Sequence, residues 1–242
     1  MGGLGKIRDA PPLYLAVFML ALGGQILFWG QTRAFHRSGE YVLEAAPAAA
    51  SARIFSFGDP QFYYRAQGMR LQTAGDWAGS LTPLRHYDYA RLADWFDLLS
   101  GMDGESHYVP VLAGYYYGSS HDPAQIRHII GYLQRLGAAH PHLHWRWLAH
   151  GVYLARHRVK DQVLALELAR QLAALPVPEM PVWTRQLPAF VLADMGEYAA
   201  ARDILLDLLA ESPEISREEQ SFMRNYIEGR LGFPLKGERK AE

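Results

Sequence analysis

The sequence predicts an all-α protein: one apolar N-terminal helix that crosses a membrane, followed by an array of helical hairpins. Three observations carry that expectation. A run of nineteen residues without a charge occupies 12–30. From residue 59 onward, a capping residue followed by proline recurs as a helix start. Small residues then return at intervals of 36 to 40, as they do when similar hairpins are stacked.

Residues 1–11 form a short Gly-rich tail carrying Lys6, Arg8 and Asp9. The stretch Pro12 to Gly30, PLYLAVFMLALGGQILFWG, is long enough as a helix to span roughly 28 Å, close to the hydrocarbon thickness of a bilayer. Tyr14 and Trp29 stand near its ends, where interfacial aromatics belong. The Ala-rich segment 45–52 lies too far beyond the apolar run to serve signal peptidase, so an uncleaved anchor is expected. Lys6 and Arg8 on one side are nearly balanced by Arg33 and Arg37 on the other. The short tail ahead of a large domain reads as a signal anchor with its tail in the cytoplasm. In a Gram-negative cell this places the anchor in the inner membrane and the C-terminal domain in the periplasm.

Residues 31–58 read as a connector, because Ser38-Gly39, the Ala/Pro run at 45–52 and Gly58 argue against a packed element. The helical domain is expected over 59–231. Asp59-Pro60 opens a helix to about Thr73, and Thr82-Pro83 opens one to about Met102. Ser106 starts the next, Asp122-Pro123 another, and two more follow Pro141 and Lys160. Ser216 with Glu219 three residues on forms a capping box for a last helix to about Leu231. Residues 232–242 read as a polar tail.

The clearest hairpin is Pro181 to Pro213. Ala189, Leu192 and Ala193 space its first helix, Met195-Gly196-Glu197 breaks it, and Tyr198, Ala201, Leu205 and Leu208 make the apolar stripe of the second. Gly196, Tyr198, Ala201 and Pro213 stand at the relative positions of a tetratricopeptide (TPR) repeat, and here the chain resembles that family. Upstream, Ala113 and Ala149 match Ala189 in two further first helices, while Ile126 and Ala165 match Ala201 in the second ones. The match departs from the family at Pro188, where a large apolar residue is usual, and Gly with Tyr at the turn occurs only in the last repeat. The resemblance implies a right-handed TPR-like array, with 60–102 a more divergent hairpin and 216–231 a capping helix.

Composition narrows function. The chain has 242 residues, 24 Lys and Arg against 25 Asp and Glu, and no cysteine. Disulfides and thiol catalysis are excluded, and no basic tract asks for nucleic acid. No GxSxG, P-loop or GxGxxG signature is present, and Asp88, Asp94 and Asp97 read as a solvated helix face. An enzyme is not expected. Five histidines crowd 140–157 (His140, His142, His144, His150 and His157), but without HExxH or CxxCH they point to no metal, and no cofactor is expected.

What the resemblance implies is protein binding on the inner face of the first helices. Counting from the aligned alanines selects Pro110, Gly114 and Tyr117, then Arg146, His150 and Tyr153, then Gln186, Phe190 and Ala193, with Trp183 one turn earlier. Of these, Tyr117, Arg146, His150, Tyr153, Trp183, Gln186 and Phe190 form the expected partner-binding groove. It mixes aromatic, basic and amide groups without an acid, which suits an extended peptide whose carboxylate Arg146 holds. The expected role is a scaffold or assembly factor for a cell-envelope complex, with protein partners and with the bilayer reached through 12–30. A structural accessory subunit of a membrane complex, an assembly factor for periplasmic cytochromes and a haem- or metal-binding periplasmic protein stand as alternatives.

Overall fold

The computed structural model describes residues 12–37, 43–77, 80–211 and 215–235. The tail 1–11, Ser38-Gly39, Pro213 and residues 236–242 lie outside the described residues. The chain divides into two compact units, Met1–Tyr41 and Val42–Glu242.

The first unit holds α1, Pro12–Arg37. No residue from Tyr14 to Gln31 is buried, and the mean hydropathy of that window is 1.4. The helix is therefore long and apolar enough to cross a membrane. It runs seven residues past Gly30, because GQTRAFHR contains no residue that cannot continue a helix.

Among its described residues the second unit is helical, apart from a two-residue ladder between β1 (Asp76–Trp77) and β2 (Ser80–Leu81). Its helices are α2 (Ala49–Phe55), α3 (Pro60–Gln72), α4 (Tyr89–Ser100), α5 (Tyr108–Val111) and α6 (Pro123–Ala139). They continue with α7 (Pro141–Tyr153), α8 (Gln162–Ala173), α9 (Trp183–Asp194), α10 (Tyr198–Glu211) and α11 (Arg217–Asn225). Three of them pass without a break into π turns: α5 into Leu112–Tyr116, α7 into Leu154–Val159, and α11 into Tyr226–Arg230.

Side-chain caps start five of these helices. Asp59, Asp88, Asp122, Asp161 and Ser216 accept from the backbone N–H of Phe62, Arg91, Ala124, Leu164 and Glu219 at 2.9 to 3.2 Å. Each contributes about 1 kcal/mol by satisfying a donor that the helix itself cannot. Thr82-Pro83 opens no helix. A 3₁₀ turn at Leu84–His86 follows it, and Asp88 starts α4 instead. The Ser216 cap forms, but the Glu219 carboxylate turns to the Gln186 amide, which donates to it at 2.6 Å.

The expected connector is partly built into the fold. Ala52 of α2 and Leu43 are buried, the Trp95 indole donates to the Glu44 carbonyl at 2.9 Å, and Arg91 donates to the Leu43 carbonyl at 3.1 Å. The Ala/Pro run misled because alanine is the best helix former once the proline has passed. At the other end, Phe233 and Leu235 pack on the core and the Arg202 guanidinium sits 4.5 Å over the Phe233 ring, so the expected polar tail is apolar through Leu235.

From α4 onward each long helix packs on the next: α4 on α6, α6 on α7, α7 on α8, α8 on α9, and α9 on α10. Side-chain bonds that cross this series join residues 32 to 40 apart, from Ser100–Tyr132 at 32 to His107–Trp147 at 40. Examples are Arg127–Asp161, Gln134–Gln171, Asp97–Arg135, Arg156–Asp194 and His107–Trp147. Glycines allow the close approaches. A Cβ on Gly137 would lie 2.7 Å from the Leu148 Cβ, and Gly196 makes its turn at φ +84°. Ile126, Ala165 and Ala201 are buried. Ala149 is not the close-packed residue of α7. It is half-buried, and Gly151, between Leu133 and Leu168, takes that place.

The core under α3 to α6 is aromatic. Tyr117 meets Tyr87, Tyr89 and Phe96 at ring distances of 5.7, 6.0 and 5.7 Å, and Phe96 meets Tyr132 at 5.3 Å. Their hydroxyls are satisfied internally. Tyr117 donates to the Leu71 carbonyl at 2.6 Å, Tyr89 to the Tyr117 carbonyl at 3.2 Å, and Tyr64 accepts from the Val109 N–H at 3.0 Å. Burial pushes the Tyr87 and Tyr89 phenols up to about 12, so these bonds do not titrate near neutral pH.

Candidate functional site

The sequence makes α7 an amphipathic helix whose apolar side meets α6 and α8. Its other face carries Arg146, Ala149, His150 and Tyr153, and the same helical step reaches Arg156 and His157 in the π turn. Across from this face lie Tyr115 on the π turn of α5 and Trp183 with Leu187 on α9. Together these side chains enclose a cavity of about 460 Å³, which Trp145 and Val152 also line. A second hollow of about 390 Å³ adjoins it, sharing Tyr115, His150 and Tyr153 and adding Ser119, Leu154 and Arg158. The two form one groove along the inner side of α5, α7 and α9.

Stacked rings floor the groove. Tyr115 lies 4.6 Å from His150, His150 stacks on Tyr153 at 5.7 Å with a 20° tilt, and Tyr153 meets His157 at 5.0 Å. Trp145 and Trp183 close one end at 5.9 Å. Both neighbouring tryptophans of α7 are buried, and Trp147 is fixed by donating to His107 Nδ1 at 3.0 Å.

The groove is cationic, and no acidic side chain lines either hollow. Its three arginines differ in their engagement. Arg156 is paired with Asp194 at 2.5 Å, and Arg158 donates to the Ser119 and Ser120 carbonyls at 2.9 Å. Arg146 lies 4.4 Å over the Trp145 ring and pairs with no acid among the described residues. The ring holds its guanidinium in place without neutralising it. The His150 imidazole has a lowered proton affinity. Burial pushes it down, and its bond to the Gly114 carbonyl at 3.2 Å only partly offsets that. Arg146, Arg156 and Arg158 supply the groove's fixed positive charge.

Of the residues expected in the groove, Arg146, His150, Tyr153 and Trp183 come together there. Tyr117 does not. It is fully buried in the aromatic core, and Tyr115 faces the groove in its place. The π turn Leu112–Tyr116, with its i→i+5 bonds, breaks the regular helical count on which the Tyr117 position rested, and Gly118 rather than Tyr117 lines the second hollow. Gln186 is buried and bonds Glu219. Phe190 packs on Phe222 and Tyr226 at 6.1 and 5.0 Å, so α11 covers it. Arg156 and His157 were legible as the next step of the α7 series; Tyr115 and Arg158 were not. Among the described residues, no three His, Asp or Glu side chains stand together as a metal site. Asp97 is paired with Arg135 and Asp88 caps α4, which accounts for both carboxylates structurally.

The fold and the groove define a class: an all-α array of successively packed helices with an aromatic, arginine-bearing channel on one face. No family model, curated protein or solved structure matches the chain.

Proposed function

We propose that the chain is a membrane-anchored, TPR-like scaffold whose groove holds an extended, anion-bearing segment of a cell-envelope protein. In this reading α1 spans the inner membrane, the short basic tail stays in the cytoplasm, and the array works in the periplasm. The cross-helix bonds at 32 to 40 residues support a repeat of about that length, overlapping the 36 to 40 of the sequence. The observation that carries the reading is the groove itself: rings on its floor, Arg146 free of any acid partner among the described residues, and no carboxylate in its walls. Rings supply area at low entropic cost and arginine supplies a fork for a carboxylate.

The test is capture of partners by the tagged full-length chain from detergent-solubilised native membranes. The chain carrying Arg146→Glu with Tyr153→Ala is compared, and helicity is followed by circular dichroism. Loss of two contacts each worth above about 1 kcal/mol should lower capture by about tenfold or more. Equal capture at equal helicity would remove the groove from the interface.

A further inference from the structure

Beyond the groove, the second unit carries a separate apolar surface at its N-terminal edge. Ile54 and Phe55 end α2, Phe57 follows, and Phe62, Ala66 and Met69 make an exposed stripe along α3. These large side chains are 59 to 92 % exposed, with Phe57 the most. Phe55, Phe57, Phe62 and Ala66 rim a hollow of about 460 Å³ over Tyr63, Gln67 and Trp95, which Glu44 and Arg70 also border.

The turn that presents them is fixed. Phe57 is left-handed at φ +50°, and Gly58 follows at φ +86°. A bulky non-glycine residue in that region is strained, and it persists only where its surroundings hold it. Here the Ser56 hydroxyl donates to the Arg53 carbonyl at 2.7 Å, the Phe57 N–H to Ile54 at 3.1 Å, and the Asp59 N–H to Ser56 at 2.9 Å. The strain is not repaid by burying Phe57 within the chain. It holds an aromatic ring outward, into whatever lies beside this edge.

We infer that this edge rests on a lipid surface, with Ile54, Phe55, Phe57 and Phe62 entering the interfacial layer of the bilayer that α1 spans. Only residues 38–48 separate the end of α1 from the start of α2, a stretch of chain that reaches no further than roughly 40 Å. From Leu43 to Gly75 the charges are Arg53, Arg65 and Arg70 against Glu44 and Asp59; Glu44 borders the hollow and pairs with Arg70 at 3.5 Å, while Arg53 and Arg65 are exposed. Aromatic wedges flanked by arginine suit an anionic membrane surface. The docking would fix the orientation of the array on the membrane and leave the groove residues to a partner. This inference rests on the reading of α1 as a membrane helix.

The chain has no cysteine, so single labels are clean. Phe57→Cys, Leu20→Cys and Val163→Cys are each labelled with an environment-sensitive fluorophore in the full-length protein. The protein is reconstituted into phosphatidylethanolamine–phosphatidylglycerol vesicles with or without a lipid-borne quencher. The label at 57 should be blue-shifted and lose most of its emission to the quencher, while that at 163, exposed on α8, should keep it. Phe55→Asp with Phe62→Asp should restore the emission at 57. Quenching at 20 but not at 57 would overturn the docking and leave the anchor standing. Quenching at 57 but not at 20 would overturn the span, and with it docking on a bilayer that α1 crosses. A blue shift at 57 that lipid quencher does not touch would mean a protein neighbour, such as a second copy, and would overturn the lipid assignment.

Discussion

Tyr115 and Tyr117 stand two residues apart and belong to two different regions of the molecule. Tyr117 sits at the centre of the aromatic core under α3 to α6, with its hydroxyl on the Leu71 carbonyl. Tyr115 lies at the wall of the groove between α5, α7 and α9, edge-on to Trp147 and tilted against His150. The same side-chain chemistry does opposite jobs. In the core, phenols serve as pins between helices distant in sequence, and every one of the bonds described is internal. In the groove, rings stack on one another along one face and leave the other open. A high tyrosine content therefore does not distinguish a binding surface from a core; the partner of the hydroxyl does.

The largest effect should come from the residue that the sequence places in the groove and the structure places in the core. Tyr117→Ala removes a fully buried ring at the junction of four aromatics, and should cost about 3–5 kcal/mol. Tyr117→Phe keeps the ring and removes one hydrogen bond, while the Leu71 carbonyl keeps the Ala74 N–H at 3.3 Å, so the cost should be about 0.5–1.5 kcal/mol. Tyr115→Ala should stay within about 0.5 kcal/mol of the parent, since its ring is mostly exposed. Urea unfolding of the full chain in micelles, followed by circular dichroism, measures all three. If Tyr115→Ala proved as damaging as Tyr117→Ala, the division between core and groove would be wrong.

A smaller effect tests the joint that gives the groove its shape. α6 and α7 are joined by one turn and approach closely at Gly137, where an added Cβ would meet Leu148 Cβ at 2.7 Å and the His144 carbonyl at 3.3 Å. Neither neighbour is a flexible chain end, so Gly137→Ala must move the helices apart, at about 1–3 kcal/mol. Gly131, two turns earlier in the same helix, is the control. Its nearest atom is the end of Arg135 at 3.3 Å, which can swing aside, so Gly131→Ala should stabilise by about 0.5–1 kcal/mol through helix propensity. Both changes are read from the same urea curves. Equal and favourable effects at the two sites would show that α6 and α7 are not in contact there.

These particulars show what the sequence could and could not carry. Asp59, Asp122 and Ser216 were legible as caps because a cap is a local contract between a side chain and an N–H three residues away or fewer. The α7 face was legible as far as Tyr153 because the helix is regular to that point. The π turn after Val111 was not, since nothing in LAGYY signals an extra residue per turn, and the error it introduced displaced Tyr117 from its true place. Gln186 and Phe190 failed for another reason. Residues of α11 and the turn after it, Glu219, Phe222 and Tyr226, return over them, and that depends on a tertiary contact rather than on periodicity. The apolar span of α1 was plain from composition; the exposed Phe57 was not, because an exposed and a buried phenylalanine look alike in one dimension.

The smallest effect compares two histidines of α7 through pH. His144 is fully buried, with Nε2–H donating to the Gly104 carbonyl at 2.6 Å and Nδ1 unpartnered among the described residues. Burial pushes its proton affinity down from 6.5, outweighing that bond, and the nearby His107 and His140 push it further. The unfolded chain therefore takes up this proton first. Stability is full above 6.5 and falls as the pH drops below it, until the folded imidazole is itself protonated. Asp161 does not share this window. Its N-cap bond to Leu164 and its Arg127 partner hold its carboxyl below 3.8, so its contribution is lost only under that value. Between the two values, His144→Asn should flatten the pH dependence of the urea midpoint. His150→Asn should flatten it less and act chiefly on partner capture, because the His150 imidazole, though also pushed down by burial, borders the open groove. If His150 controlled stability and His144 controlled capture, the groove would have to be sought on the side of α7 where His144 meets His107 and Gly104 rather than at Tyr153.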